Sequence, residues 1–333
     1  MINRRQVLVG GVGASALMLG GPAHAQQRTL KFASATLNDV QHHYQTRFKE
    51  KLEATSGDVA VEVYPASQLG PIPRMVEGVM FGTIESFITA TAFLSQVDPR
   101  FQVFDVAALF RDPEATRDLF AGEAFRSRVR TFGNAQNIEP ISTFVHSPNT
   151  IISKRPIGSL DDLSGLKIRV LGTPFQIEPM RALGATPVPM PLSEVMPALQ
   201  TGTIDAVISA PTVASAFRYY DAAPYMMMVE SWPLIVTVAT SRSWLNGLPD
   251  DVRAHVVGVA RETEAEAVEW GTADVTRAAE AWATNGGEVV PIDPSIEAAL
   301  QSTIADATAS LIAASAPLSE EVAALSGILA EAR

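Results

Sequence analysis

The chain contains no cysteine. That absence excludes disulfides, thiolate zinc sites, iron–sulfur clusters and cysteine nucleophiles together. Charge is sparse at 18% of residues, and cations are scarcer than anions: 25 Lys and Arg stand against 36 Asp and Glu, a net charge of −11. No cluster of Lys or Arg supplies the basic footprint that a phosphate backbone requires, so nucleic acid is not an expected partner. No run of about 18 apolar residues follows residue 25, so no internal membrane span is expected. What the chain does have is apolar material, 47% of 333 residues. That is enough for two domains with sizeable cores.

Residues 1–25 read as an address rather than as structure. Arg4 and Arg5 precede an apolar run from Val7 to Gly21, and Ala23-His24-Ala25 closes it with a small-x-small site. This order describes an export signal cleaved before Gln26. The paired arginines resemble a twin-arginine signal, with the Sec route as the alternative. Cleavage removes two arginines and no acid, which takes the net charge from −11 to −13. The expected location is the periplasm, with no membrane insertion of the mature chain.

The mature chain alternates strands and helices, which defines an α/β class with a mainly parallel sheet. Residues 29–36 and 59–64 alternate as strands around a helical pattern at 41–55 through Tyr44, Phe48 and Leu52. An internal echo organises the rest. Residues 74–85 end in Gly82-Thr83-Ile84-Glu85 before the apolar stretch Ser86–Ala90, and residues 194–205 end in Gly202-Thr203-Ile204-Asp205 before Ala206–Ser209. Both read as a helix closed by a left-handed glycine and followed by a short buried strand, so two lobes of similar build are expected. Ser193 is the expected N-cap of the second helix. Residues 139–191 carry eight prolines, suited to a chain crossing between lobes. Residues 251–284 have none and read as a long helix that Gly258 or Gly271 can bend.

Catalytic signatures are missing: no GxSxG elbow, HExxH helix or P-loop occurs. His42 and His43 are adjacent, point about 100° apart on a helix, and suit a solvated helix start better than a metal site. His146-Ser147 can join a distant acid in a hydrolytic triad, although nothing in the spacing fixes that geometry. Arg169 stands out instead. Leu166, Ile168 and Val170 alternate with Lys167 and Arg169 in a strand buried on one face. Arg169 lies near its C-terminal end, where open α/β sheets place ligands. It can therefore meet a carboxylate through two parallel hydrogen bonds, or serve as an ordinary surface or ion-paired arginine.

Several stretches resemble a known family: Leu30-Lys-Phe-Ala, Val63-Tyr-Pro-Ala-Ser-Gln-Leu-Gly70, Lys154-Arg-Pro-Ile157, Asp162-Leu-Ser-Gly-Leu-Lys-Ile-Arg-Val170, Leu183-Gly-Ala185 and Ser193 to Asp205. Together they look like the solute-binding proteins of TRAP transporters (tripartite, ATP-independent periplasmic), DctP type. The resemblance covers nearly the whole mature chain. It implies a two-lobe periplasmic-binding-protein-like fold with a cleft between the lobes and a long interdomain helix. Lobe 1 is then expected at 26–148 with a return segment about 236–270. Lobe 2 is expected at 149–235, and the C-terminal helices, about 271–333, across both.

The resemblance also implies capture of a small carboxylate, delivery to TRAP permease membrane subunits, no enzymatic activity, no cofactor and no metal. In the family, the arginine of the Lys-Ile-Arg-Val strand pairs with the substrate carboxylate, and Arg169 takes that place. A second arginine common in relatives is replaced here by Pro148 and Asn149, so one polar contact, at Asn149, is neutral or absent. That favours a monocarboxylate with a neutral or apolar body over a dicarboxylate held by two arginines and leaves both open. Further ligand-facing positions implied by the match are Thr89, Thr91, Asn38, Leu192 and Ser209. Phe175, Tyr220, Met226 to Met228 and Trp232 are apolar candidates for the ligand's body. The rival functions are an exported metal-dependent hydrolase and a binding protein that feeds a membrane sensor. The DctP-type motifs separate the chain from binding proteins of ATP-driven transporters.

Overall fold

The computed structural model describes residues 27–331. The export segment expected at 1–25 lies outside them. The chain runs β1 (Arg28–Ser34), α1 (Val40–Thr55), β2 (Val59–Tyr64), α2 (Ile72–Phe81) and β3 (Ser86–Ala90), then 3-10 turns over 91–110. Helices α3 (Pro113–Ala121) and α4 (Glu123–Val129) lead to the 16-residue strand β4 (Ile138–Ser153). There follow β5 (Lys167–Val170), α5 (Pro174–Ala182), β6 (Thr186–Pro189), α6 (Leu192–Thr201), β7 (Ala206–Ser209) and α7 (Pro211–Ala216). The 17-residue β8 (Tyr225–Ser241), α8 (Arg242–Asn246), α9 (Asp250–Thr284), β9 (Glu288–Val290), α10 (Pro294–Ala314) and α11 (Ala316–Glu331) complete it.

The sheet is mixed rather than mainly parallel. Its order is β2-β1-β3-β8-β4-β7-β5-β6, with β9 beside β8. Pairs β1–β2, β1–β3, β5–β6 and β5–β7 are parallel, while β3–β8, β8–β4 and β4–β7 are antiparallel. Read outward from the central β8–β4 pair, each half repeats the same pattern: β8-β3-β1-β2 and β4-β7-β5-β6. The two crossing strands thus form the centre of one pseudo-symmetric assembly.

The echo in the sequence is the local expression of that symmetry. Gly82 and Gly202 close α2 and α6 at φ 70° and 74°, both left-handed. Glycine takes this conformation without a Cβ penalty. The acid that follows each turn has a defined task. Glu85 accepts the backbone N–H of Lys31 on β1 at 2.8 Å, and Asp205 accepts that of Lys167 on β5 at 3.0 Å. Both lysine ammoniums reach back to turn carbonyls, Lys31 to Thr83 and Lys167 to Gly202. Each motif therefore staples a helix–turn–strand unit to the strand beside it. One detail differs from expectation: α6 starts at Leu192 with Pro191 at the N-cap, so Ser193 lies inside the first turn and does not cap it. The echo extends to this proline, since Pro71 occupies the same place before α2.

The prolines of β4 are absorbed by irregularities. Pairing with β8 shifts between Pro140 and Ser142, between Val145 and Ser147, and between Pro148 and Asn149. At the last shift the partner jumps from Pro233 to Val229, leaving residues 230–232 outside the β4 ladder. Asn149 Nδ2 bridges the gap by donating to the Trp232 carbonyl at 3.1 Å, and Glu297 of α10 accepts from Ser231 N and Oγ. Such bulges concentrate bending in a strand.

Helix α9 runs 35 residues without interruption, through both Gly258 and Gly271. It packs on α1 and β4 at one end and on α7 and β9 at the other. Gly271 serves close approach: a Cβ there would lie 3.1 Å from Val40 Cγ2 and 3.5 Å from the His146 carbonyl. Trp282, fully buried, donates its indole N–H to the Pro224 carbonyl at 2.8 Å. Helix α10 rests on α5, and α11 rests on the turn at 99–105 and on α3.

Candidate functional site

Both repeats aim the C-terminal ends of their central strands at one place. There the two halves of the molecule enclose a cavity of about 40 Å³. Its first-half lining comes from Ala35 and Thr36 after β1, Gln41 of α1, Ile72 of α2, Thr89 and Ala90 of β3, and Phe93. Its second-half lining comes from Arg169 and Leu171, Leu192 of α6, Ser209 and Ala210 after β7, and Val213. Asn149 and Leu234 add a contact from each crossing strand.

Arg169 is the one charged residue among the described residues that line the cavity. It is 1% exposed, and no carboxylate pairs with it among the described residues. Its Nε donates to the Met190 carbonyl and its Nη1 to the Ile208 carbonyl, both at 3.1 Å. These bonds fix the plane of the guanidinium on the second half and leave Nη2 without an acceptor among the described residues. Burial pulls its pKa down to about 10, so it stays cationic at neutral pH. The Tyr219 hydroxyl nearby is buried without a partner among the described residues, and burial pushes its pKa up, so it stays neutral. A desolvated cation with unspent donors and no counter-charge is costly by itself. An anion in the cavity would relieve that cost.

Of the nine positions expected to face a ligand, the structure brings five together: Arg169, Asn149, Thr89, Leu192 and Ser209. Four lie elsewhere. Thr91 is buried and donates to the Ile235 carbonyl at 3.2 Å, tying the turn after β3 to β8. Asn38 is exposed with a left-handed φ of 55° and does not line the cavity. Phe175 packs in the main core and Trp232 in the smaller core of the second half. Met226 and Met227 are core residues as well, and Tyr220 sets its ring edge-on against Trp282. Asn149, rather than Pro148, is the residue of that pair that lines the cavity. Gln41, Thr36, Phe93, Leu171 and Leu234 join the lining unannounced. Gln41 had a readable signal, a polar residue on the face of α1 that also carries Tyr44, Phe48 and Leu52.

The triad-like trio has a structural task. His146 Nε2 meets Asp39 Oδ2 at 3.0 Å and His146 Nδ1 meets Ser147 Oγ at 3.1 Å, all in the interior. The Ser147 hydroxyl donates to the Pro148 carbonyl at 2.8 Å, so its proton is not directed at the imidazole. None of the three lines the cavity. Asp39 also caps α1, accepting from His42 N, so the trio ties the start of α1 to the crossing strand. His43 stacks on Trp270 with ring centroids 4.2 Å apart.

Asp105 faces Thr173, the N-cap residue of α5, from the opposite half of the molecule. Burial raises its pKa to about 7. The Thr173 hydroxyl offsets part of the rise, yet neither Asp105 Oδ2 nor Thr173 Oγ1 finds a partner of good geometry. A carboxyl whose folded pKa is raised binds its proton in the folded state first. Stability is therefore expected to fall as pH rises from about 4 to about 7, and then to level. Asp105→Asn should flatten that decline and gain roughly 1–3 kcal/mol at about pH 8. Urea unfolding of both proteins at about pH 5 and about pH 8 reads this directly; parallel profiles would contradict it.

A sheet with two crossing strands, two repeats and a cavity between them defines a two-lobe solute-binding protein. Residues 32–314 match the family model described as bacterial extracellular solute-binding protein, family 7 (DctP). The chain belongs to that family. It is 30% identical over 256 residues to a solute-binding protein of Roseobacter denitrificans, covering 75% of this chain and 78% of the relative. It is also 30% identical over 258 residues to the C4-dicarboxylate-binding periplasmic protein DctP of Rhodobacter capsulatus, covering 76% of this chain and 77% of the relative. In fold it matches a TRAP periplasmic solute-binding protein of Desulfovibrio salexigens solved with orotic acid. The TM-score is 0.86 at 24% identity, over 92% of this chain and 99% of that one. The ectoine-binding protein of the TeaABC TRAP transporter of Halomonas elongata matches with a TM-score of 0.85 at 20% identity, over 91% and 99%.

Proposed function

We propose that this protein captures a small organic acid in the periplasm and hands it to the membrane subunits of a TRAP permease. The observation that carries the reading is Arg169, buried and without a carboxylate partner, on the wall of the cavity between the lobes. The acid's carboxylate accepts from the free Nη2 edge of Arg169, while Thr89 and Gln41 from lobe 1 and Ser209 and Asn149 contact the remainder. Because the ligand touches both lobes, it stabilises the closed form over the open one. Bending occurs where β4 and β8 lose register, at Pro148 and Asn149 against residues 229–233. This supports a lobe 1 of 26–148 with a return through 236–270, a lobe 2 of 149–235, and C-terminal helices that brace both. The mature chain begins at Gln26 after export by the twin-arginine or Sec route, and the protein performs no chemistry on its ligand.

The charge of the protein constrains how the anion arrives. A net charge of −13 after signal removal repels anions at long range, so attraction must come from the local field of Arg169. Capture is then expected to be only weakly salt-dependent, because a buried pair is screened little. A thermal-shift screen across mono- and dicarboxylates tests the function. At least one acid should raise the unfolding midpoint by linkage, and the corresponding amide should not. A rise with neutral analogues alone would contradict the reading.

A further inference from the structure

The pseudo-symmetry of the sheet says what the two lobes each contribute to the ligand. The matched staples Lys31–Glu85 and Lys167–Asp205 set the equivalence residue by residue. Thr89 then corresponds to Ser209, Ala90 to Ala210, and Ala35 to Leu171, and all six line the cavity. Arg169, two residues after Lys167, corresponds to Ala33, two residues after Lys31. Lobe 1 therefore has a methyl group where lobe 2 has its cation, and the site has a charged end and a neutral end.

The neutral end is also largely apolar. Ala35, Ile72, Ala90 and Phe93 form the lobe 1 wall, and Leu171, Leu192, Ala210, Val213 and Leu234 surround the rest. Of the polar groups, the Thr36 hydroxyl is already spent on Asp39 Oδ1. One of the two Asn149 amide N–H groups is spent on Trp232, which leaves the other and Oδ1 for the ligand. Gln41, buried at 5% exposure, has a carboxamide with no hydrogen-bond partner among the described residues. Together with the Thr89 and Ser209 hydroxyls it can serve a neutral oxygen beside the carboxylate.

We infer that the ligand is a compact monocarboxylate with a branched aliphatic body and one neutral oxygen next to the carboxylate, as in a short 2-oxo or 2-hydroxy acid. This rests on the assignment of Arg169 above and narrows it. A second carboxylate would lie against Ala35, Ile72, Ala90 and Phe93 with no cation to pair with, and burying an unpaired charge is heavily disfavoured. The several ring hydroxyls of a sugar acid would outnumber the polar side chains of a lining that is otherwise apolar.

Calorimetry on the mature chain with 2-oxoisovalerate, 2-hydroxyisovalerate, succinate and glucuronate tests this, with Arg169→Ala run in parallel. The branched acids should bind at least about 100-fold more tightly than succinate or glucuronate, a gap of about 2.7 kcal/mol, and the variant should bind none. If succinate or glucuronate binds as tightly or more tightly, and Arg169→Ala abolishes that binding, the inference falls while the carboxylate site stands. If the variant retains the affinity of the native protein, or no acid binds at all, the carboxylate site falls and the inference with it.

Discussion

Replacing Arg169 with alanine should abolish acid capture while leaving the unliganded protein close to its native stability. The loss follows from the geometry of a desolvated guanidinium held by two backbone carbonyls, with its remaining donors open to the cavity. Truncating one partner of a buried, charge-assisted contact costs about 2–5 kcal/mol of binding, which is roughly 30- to 5,000-fold in affinity. The stability side has the opposite sign. The native protein carries an uncompensated buried cation, so deleting it offsets the two lost hydrogen bonds and the space left behind. The midpoint of the unliganded variant should therefore stay within about 4 °C of the native value. Calorimetry and a thermal melt of the same preparation read both halves. Retained affinity would contradict the site; a collapse of the melt would contradict the claim that Arg169 is held for binding rather than for folding.

His146→Ala should do the reverse, weakening the fold rather than the chemistry of the site. Asp39 is fully buried, and His146 Nε2 is the one side chain that meets its Oδ2 among the described residues. The imidazole also moderates Asp274 on α9, whose carboxyl is pushed up by burial and by the charge of Asp39, with Arg277 as its counterweight. Removing the ring leaves Asp39 Oδ2 without its partner and takes that moderating charge away from Asp274. Leaving a buried acceptor without its hydrogen-bond partner costs about 1–3 kcal/mol, a fall in midpoint of a few degrees. His146→Gln, which keeps one donor for Asp39, should recover part of that loss. A fall below about 1 kcal/mol in urea unfolding would show that the trio does not tie α1 to the crossing strand.

The contrast between these two residues shows what was readable in the sequence. The glycine-closed echo was legible because left-handed caps leave a fixed signature, Gly-Thr-Ile-acid, and both copies form as read. Arg169 was legible from its place near the C-terminal end of β5; its burial was not, because Lys167 and Arg169 alternate as though both faced solvent. The crossing strands were not. β4 contains Pro140 and Pro148, which break strand alternation, and only its register shifts let a 16-residue strand carry them. The antiparallel core of the sheet was lost for the same reason. At the site, Asn38 lies exposed in the loop before α1 rather than in the lining, and loop side chains carry no periodicity from which that can be read. Phe175 and Trp232 were misplaced because an aromatic that lines a cavity and one that fills a core have the same local pattern. Phe93 and Leu234 were missed on identical grounds. Gln41 was within reach, since a polar side chain on the buried stripe of α1 needs a reason.

The most direct measurement is a crystal structure of the protein with the acid it takes up. The account predicts the carboxylate within hydrogen-bond distance of Arg169 Nη2, the lobes closed on it, and the ligand's body against Ile72, Ala90 and Phe93. A ligand whose carboxylate is held by other groups, with the Arg169 guanidinium still bonded only to the Met190 and Ile208 carbonyls, would contradict it.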